Sequence, residues 1–342
     1  MNASALPLVI QGGMGIAVSN WRLARAVSSA GQLGVVSGTA LDSVFVRRLQ
    51  DGDRDGAMRR ALAHLPLPGV AADLLRRYFL PDGRAAGQPY KLLPMYRQTV
   101  SALRDQVTIV ANFVEVFLAK EGHGGKVGIN LLTKVQMPTL ASLYGAMLAG
   151  VDVVLMGAGI PREIPGALDA LAAHAPATLR LDVDGQPPDD PVYLRFDPAQ
   201  HGATHLPVTR PHFYAIVSAH SLATTLARKA TGRVDGFIVE GAVAGGHNAP
   251  PRGALRLNAR GEPIYGERDA ADLSAMRALD VPFWLAGGTG SPLALQDARA
   301  AGAAGIQVGT AFAYAEESGF STKIKRRVLA QVATGTIDLF TD

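Results

Sequence analysis

The chain has 342 residues, 48% of them apolar and 18% charged, long enough to bury the core of one large domain. Lys and Arg (33) barely exceed Asp and Glu (29), and no basic stripe interleaved with aromatics is present, which argues against nucleic acid as a partner. The complete lack of cysteine excludes disulfides, thiolate metal sites and a cysteine nucleophile.

The N-terminal seven residues carry no basic segment and run straight into an apolar strand, so no secretory signal is expected. Short β-rich apolar runs then alternate with helical stretches, the pattern of repeated βα units around a parallel sheet. Strands are expected at residues 8–11, 34–37, 127–131, 151–156, 213–218, 236–240, 283–286 and 305–308. Helices are expected at 21–30, 41–50, 96–119, 137–149, 162–173, 222–230, 271–279 and 293–301. Eight strands with intervening helices predict an α/β fold, a (β/α)8 TIM barrel, as one domain over residues 1–342.

Three segments exceed ordinary connections. Residues 51–94 (an insertion ending by residue 95) follow the second strand and carry several Pro and Gly residues together with Tyr78, Phe79 and Tyr90. Such a segment suits a lid, a surface subdomain or an oligomer contact. Within 177–210, residues 178–183 and 192–196 pair in a hairpin across Asp184-Gly185. Residues 248–268 form a long loop after the sixth strand. The most apolar stretch, 141–160, is interrupted by Asp152 and four glycines, and reads as helix, turn and buried strand rather than as a membrane span. The basic cluster Lys323, Lys325, Arg326 and Arg327 reads as the solvated face of a C-terminal helix. A cytoplasmic enzyme with a small-molecule substrate and no membrane partner is expected, and a homodimer is left open.

Four glycine-rich turns follow predicted strands. Gln11-Gly12-Gly13-Met14-Gly15 comes after the first. It lacks the last glycine and the downstream acid of a dinucleotide fingerprint, and no Gly-Lys-Ser/Thr of a P-loop follows. Gly287-Gly288-Thr289-Gly290 comes after the seventh strand and Gly309-Thr310 after the eighth, where barrels commonly bind phosphate. Absent Cβ atoms let backbone N–H groups close on an anion at a helix start. The run Glu240-Gly241-Ala242-Val243-Ala244-Gly245-Gly246-His247 ends the sixth strand and presents His247 at the mouth, where an imidazole exchanges a proton near neutrality. Asn130 closes the third strand with a polar amide. His220, after the fifth strand, is a candidate supporting partner. His201 and His205 share i, i+4 spacing but lack an acidic companion, so no metal site is expected.

IQGGMG (10–15), GVVSG (34–38), GINLL (128–132), VDGFIVEGAVAGGH (234–247), LAGGTG (285–290) and GIQVGT (305–310) together resemble the nitronate monooxygenases, formerly 2-nitropropane dioxygenases, and their sister FMN-dependent enoyl-acyl-carrier-protein reductases. The resemblance implies an FMN-binding barrel. It sets the flavin ring against Gly13 and Met14, Asn130 and Ser218 at its polar edge, Gly245 and Gly246 beneath it, and Gly287, Gly288, Gly309 and Thr310 at its phosphate. His247 matches the histidine that acts as base or positions substrate. The implied reaction oxidises an alkyl nitronate with O2 to a carbonyl compound and nitrite. The alternative is an NAD(P)H-dependent FMN reductase of an enoyl thioester or a quinone. After His247 the chain departs from the family's usual Arg-Gly, reading Asn248-Ala249-Pro250-Pro251-Arg252-Gly253. The insertion at 51–94 is also larger than the family's small lids. Both departures lie where substrate would enter.

Overall fold

Every barrel strand expected from the sequence is present in the computed structural model, which describes residues 6–187, 189–202, 204–244 and 250–338. The strands are β1 (Val9–Gln11), β2 (Gly34–Ser37), β3 (Val127–Leu132), β4 (Val153–Gly157), β5 (Ala177–Leu181), β6 (Val192–Phe196), β7 (His212–Val217), β8 (Gly236–Glu240), β9 (Phe283–Ala286) and β10 (Gly305–Val308). Eight form one parallel sheet in the order β1-β10-β9-β8-β7-β4-β3-β2. Its two ends meet at a parallel bridge between Ile10 and Leu33, where the Gln11 N–H donates to Leu33 O at 2.9 Å. The sheet thus curls into a nearly closed barrel, and the fold is a (β/α)8 TIM barrel with insertions after β2, around residues 177–210 and after β8. β5 and β6 pair antiparallel with each other, apart from the barrel.

Alternation along each strand sorts side chains into two cores. Ile10, Leu33, Val35, Val153, Leu155, Tyr214, Ile238, Trp284 and Ala286 fill the lumen. The Tyr214 and Trp284 rings stack there with centroids 4.7 Å apart, and the Trp284 indole N–H donates to Pro7 O at 2.8 Å. Gly236 has to be glycine beneath these rings, because a Cβ would stand 2.7 Å from Tyr214 Cδ1. The residues between, such as Ile129, Val154, Phe213 and Phe237, face outward into the larger core under the helices.

The helices are α1 (Trp21–Ser29), α2 (Leu41–Gln50), α3 (Ala57–Leu62), α4 (Pro68–Tyr78), α5 (Ala102–Lys120), α6 (Thr139–Leu148), α7 (Ile164–Ala172), α8 (His220–Lys229), α9 (Leu273–Arg277), α10 (Pro292–Ala300), α11 (Thr310–Ala313) and α12 (Thr322–Ala333). The insertion after β2 thus holds two helices of its own. α5 begins at Ala102 rather than near residue 96 because the Ser101 hydroxyl accepts the Arg104 N–H as an N-cap. Residue 96 is used differently: the Tyr96 ring lies 4.0 Å from the Arg104 guanidinium carbon and its hydroxyl sits 2.8 Å from Thr108 Oγ1. Arg104 in turn pairs with Asp42 at 2.7 Å, and both are buried. That cluster pins the end of the insertion onto the first turns of α2 and α5. Among the described residues, no helix is long and apolar enough to cross a membrane.

Candidate active site at the barrel mouth

One step beyond the lumen core, the same alternation sets out the layer that faces the C-terminal mouth, where barrel enzymes place their chemistry. Gly12 follows Ile10, Ser37 follows Val35, Asn130 follows Gly128, Gly157 follows Leu155, Ser218 follows Ile216 and Glu240 follows Ile238. Gln307 of β10 joins them, its side chain lying against Gly12. The layer is therefore two glycines, two serines, two amides and one carboxylic acid. No bulky apolar residue caps the lumen, so the strand ends form a level floor able to take a flat polar ligand.

Turns from neighbouring strands close over this floor. The loop after β1 crosses the mouth, and a Cβ on Gly13 would fall 2.2 Å from Asn130 Cβ, so only glycine passes there. Gln11, fully buried, fixes this loop. Its amide donates to Gly12 O at 2.6 Å and to Ser19 Oγ at 3.1 Å, while its carbonyl accepts the Val35 N–H at 3.0 Å. Ser19 Oγ accepts the Met14 N–H at 2.9 Å. Gly287 and Gly288 both have positive φ, +94° and +66°, and a Cβ on Gly287 would stand 3.0 Å from Ala244 N. The turn after β9 is thereby pressed against the turn after β8, which donates the Gly241 N–H to Ala286 O at 2.9 Å. The Thr289 hydroxyl donates to Gln307 O at 2.9 Å and ties the same turn to β10. A Cβ on Gly309 would lie 3.9 Å from Met14 Cγ, which links the β10 turn back to the β1 loop. Thr310 starts the short α11 and is exposed.

The expected residues Gly13, Met14, Asn130, Ser218, Gly287, Gly288, Gly309 and Thr310 thus all stand on this one face. Gly13 meets Asn130, Gly309 meets Met14, and Gly287 meets the β8 turn. Ser218 lies farther round, in a small pocket with Glu240, Gly241, Ala242, Pro250, Arg252, Tyr265 and Asp269. Gly245, Gly246 and His247 fall outside the described residues; their described flanks, Ala244 and Pro250, are at this end of β8. His220 does not join the site: its Nδ1 accepts the Asp272 N–H at 3.2 Å. His201 is buried against Phe196, with Nε2 4.0 Å from Asp105 Oδ2. No group of three or more potential metal ligands occurs among the described residues. Lys325 of the basic cluster donates to Glu316 O and Ser318 O, beside α12's otherwise solvent-facing cations.

Three members of the site are not among the candidates read from the sequence. Gln11 and Gln307 are amides inside apolar strands, and Glu240 is the acid that ends one, so each bears a polar group that the hydrophobic period does not require. Gln307 Oε1 is buried without a hydrogen-bond partner among the described residues. A buried carbonyl left in this state is costly unless a donor meets it. Glu240 is half-buried and its carboxyl is pushed above the usual glutamate range by desolvation. An unmet acceptor in a glycine floor, under turns that a Cβ would obstruct, fits a planar cofactor that carries an N–H donor and a phosphate.

Residues 203–338, which run from before β7 past α12, match the family described as nitronate monooxygenase, an oxidoreductase family. No curated protein matches the sequence. Among solved structures, the chain is similar to a mutant of FabK from Thermotoga maritima at 17% identity and a TM-score of 0.49, covering 95% of this chain and 67% of that one. It is similar to nitroalkane oxidase from Streptomyces ansochromogenes at 17% identity and a TM-score of 0.47, over 94% and 70% of the two chains. A third likeness is to the enoyl reductase domain of MlnA from the macrolactin biosynthesis cluster of Bacillus amyloliquefaciens, at 13% identity and a TM-score of 0.45, over 94% and 57%.

Proposed function

We propose that this oxidoreductase, whose residues 203–338 match the nitronate monooxygenase family, binds FMN at its barrel mouth and oxidises alkyl nitronates with O2 to carbonyl compounds and nitrite. The observation that carries the reading is the mouth layer itself. Seven strand ends supply glycines, small polar groups and the unmet Gln307 acceptor, and the turns after β9 and β10 stand together where barrels hold phosphate.

In this reading Gly287, Gly288, Gly309 and Thr310 hold the phosphate, through backbone N–H groups and the Thr310 hydroxyl. Gly13, Met14, Asn130 and Ser218 border the ring, Gln307 meets its N–H donor from beneath, and Gly245 and Gly246 pass close to it. His247 takes the role of base or positions the substrate. When bound, FMN supplies the redox step by taking electrons from the substrate carbon and passing them to O2. The protein's part is to keep the turns close, to exclude bulk water and to orient the reacting carbon. We place the enzyme in the cytoplasm, as one domain in which residues 51–95 and 248–268 border the substrate's way in.

Anaerobic addition of ethyl nitronate to the FMN-loaded protein tests this. Bleaching of the flavin band, with nitrite released when air is admitted, is the expected result. Rapid bleaching by NADH or NADPH with no response to nitronate would replace the reading by an NAD(P)H-dependent FMN reductase.

A further inference from the structure

Glu240 is the one carboxylic acid on the inward-facing mouth layer. It occupies the last residue of β8, two positions beyond Ile238 in the lumen core and opposite Ala286 of β9. Its side chain faces the pocket that Ser218, Arg252, Tyr265 and Asp269 also line. The neighbouring charges are turned elsewhere. The Arg252 guanidinium donates to Ser221 Oγ at 3.2 Å, and Asp269 accepts backbone N–H groups from Gly266 and Arg252, each at 2.7 Å. No hydrogen bond or ion pair holds Glu240 among the described residues. A half-buried acid at a strand end, with no cation bound to it among the described residues, is unexplained by packing and faces this pocket.

We infer that Glu240 is a substrate-binding residue, whose neutral carboxyl donates a hydrogen bond to an oxygen of a small planar oxyanion held in the Ser218–Arg252 pocket. This deepens the nitronate reading and rests on it for the identity of the natural ligand, since a nitronate carries its charge on such oxygens. Desolvation supports the neutral form, because it raises the carboxyl above the ordinary glutamate range. Below its folded pKa the group is a donor and attracts the anion. Above it the group is a carboxylate that repels the anion and has no proton to donate. Affinity for an oxyanion therefore falls as pH rises through that value. The other titratable groups lining the pocket are Arg252, Tyr265 and Asp269. Asp269 is held below the usual aspartate range by its backbone donors, so it stays ionised over the same interval.

Nitrate, a planar oxyanion that does not turn over, is the probe. Its binding to the FMN-loaded protein is followed by calorimetry over a series from mildly acidic to mildly alkaline buffer. The wild type is expected to lose about tenfold in affinity across each unit of pH above the Glu240 pKa. Glu240→Gln, which keeps a neutral donor of the same size, is expected to bind nitrate with no such slope. Glu240→Ala is expected to bind weakly at every pH. Absence of nitrate binding, a flat wild-type profile, or a wild-type slope retained in Glu240→Gln would overturn the inference. Thermal melts of both variants guard against loss of fold, and the near-isosteric Glu240→Gln decides the question if Glu240→Ala unfolds. The readout needs no turnover. A protein that binds nitrate as described but is not bleached by ethyl nitronate would refute the nitronate reading and leave the role of Glu240 standing.

Discussion

The two sides of the barrel wear very different coats. Over β2 and β3, α5 buries thirteen of its 19 residues and α6 nine of its 10, and a Cβ on Gly145 of α6 would stand 2.1 Å from Ile109 O of α5. On the side of β9 and β10, α10 buries only Ala298 and α12 buries nothing. The thick side is thickened further by the insertion after β2, whose α3 and α4 pack onto α2 and α5. The thin side carries the Gly287–Gly288 and Gly309–Thr310 turns and the loop after β8. Regions with few buried contacts open most easily, and loops that admit a ligand are drawn from that end of the stability range. Stability and chemistry are thus segregated around the barrel, with the deep core holding the shape against which the thin side works.

If that contrast holds, the largest effect belongs to the thick side. Phe113→Ala in α5 removes a buried ring and is expected to cost about 4 kcal/mol, read from the urea midpoint. A loss of under about 1 kcal/mol would show that this layer is less cooperative than its burial implies.

Asp105→Asn on the first turn of α5 is expected to act in the opposite direction. Burial pushes this carboxyl up to about 6 from 3.8, and Arg104 only partly offsets it. The buried His201 nearby is pushed down by desolvation, so it is a poor counter-charge at neutral pH. A raised carboxyl pKa means the folded state holds its proton longer than the unfolded state. Stability is therefore full below about 3.8 and falls as pH rises to about 6. The asparagine variant should be more stable by about 1–2 kcal/mol at neutral pH and by nothing in strong acid. Equal stabilisation at both ends would contradict the assignment.

The smallest effect is expected on the thin side, where Leu329→Ala on α12 should shift stability by less than about 0.5 kcal/mol. A loss approaching that of Phe113→Ala would mean that α12 is covered in solution, and sedimentation would then find a second copy against it.

Much of this was legible in the sequence. Short apolar β-rich runs alternating with helical stretches marked all eight barrel strands, four of them followed by glycine-rich turns, and the Asp184-Gly185 hairpin flanked by apolar runs marked β5 and β6. The glycines stood out because a Cβ is what those positions cannot hold. Helix starts were less legible, as at Ser101, since capping depends on which hydroxyl meets a free N–H rather than on apolar spacing. Within the insertion after β2, α3 and α4 were hidden by Pro and Gly, whose helix-breaking signal was outweighed by packing onto α5. Gln307, Gln11 and Glu240 escaped because their roles depend on which way each side chain faces, a direction fixed only once register is known. That same register now separates Gln11, which points outward and holds the loop after β1, from Gln307, which points inward and lacks a partner among the described residues.

The most direct test of the central claim is a titration of the apoprotein with FMN, followed by quenching of flavin fluorescence, in the wild type, Gly13→Ala and Gly288→Ala. One FMN is expected to bind per wild-type chain. Binding should be at least about tenfold weaker in both variants, because one Cβ meets Asn130 and the other strains a residue at φ +66° in the phosphate turn. Absence of FMN binding in the wild type, or equal affinity in all three folded proteins, would contradict the assignment of the barrel mouth as a flavin site.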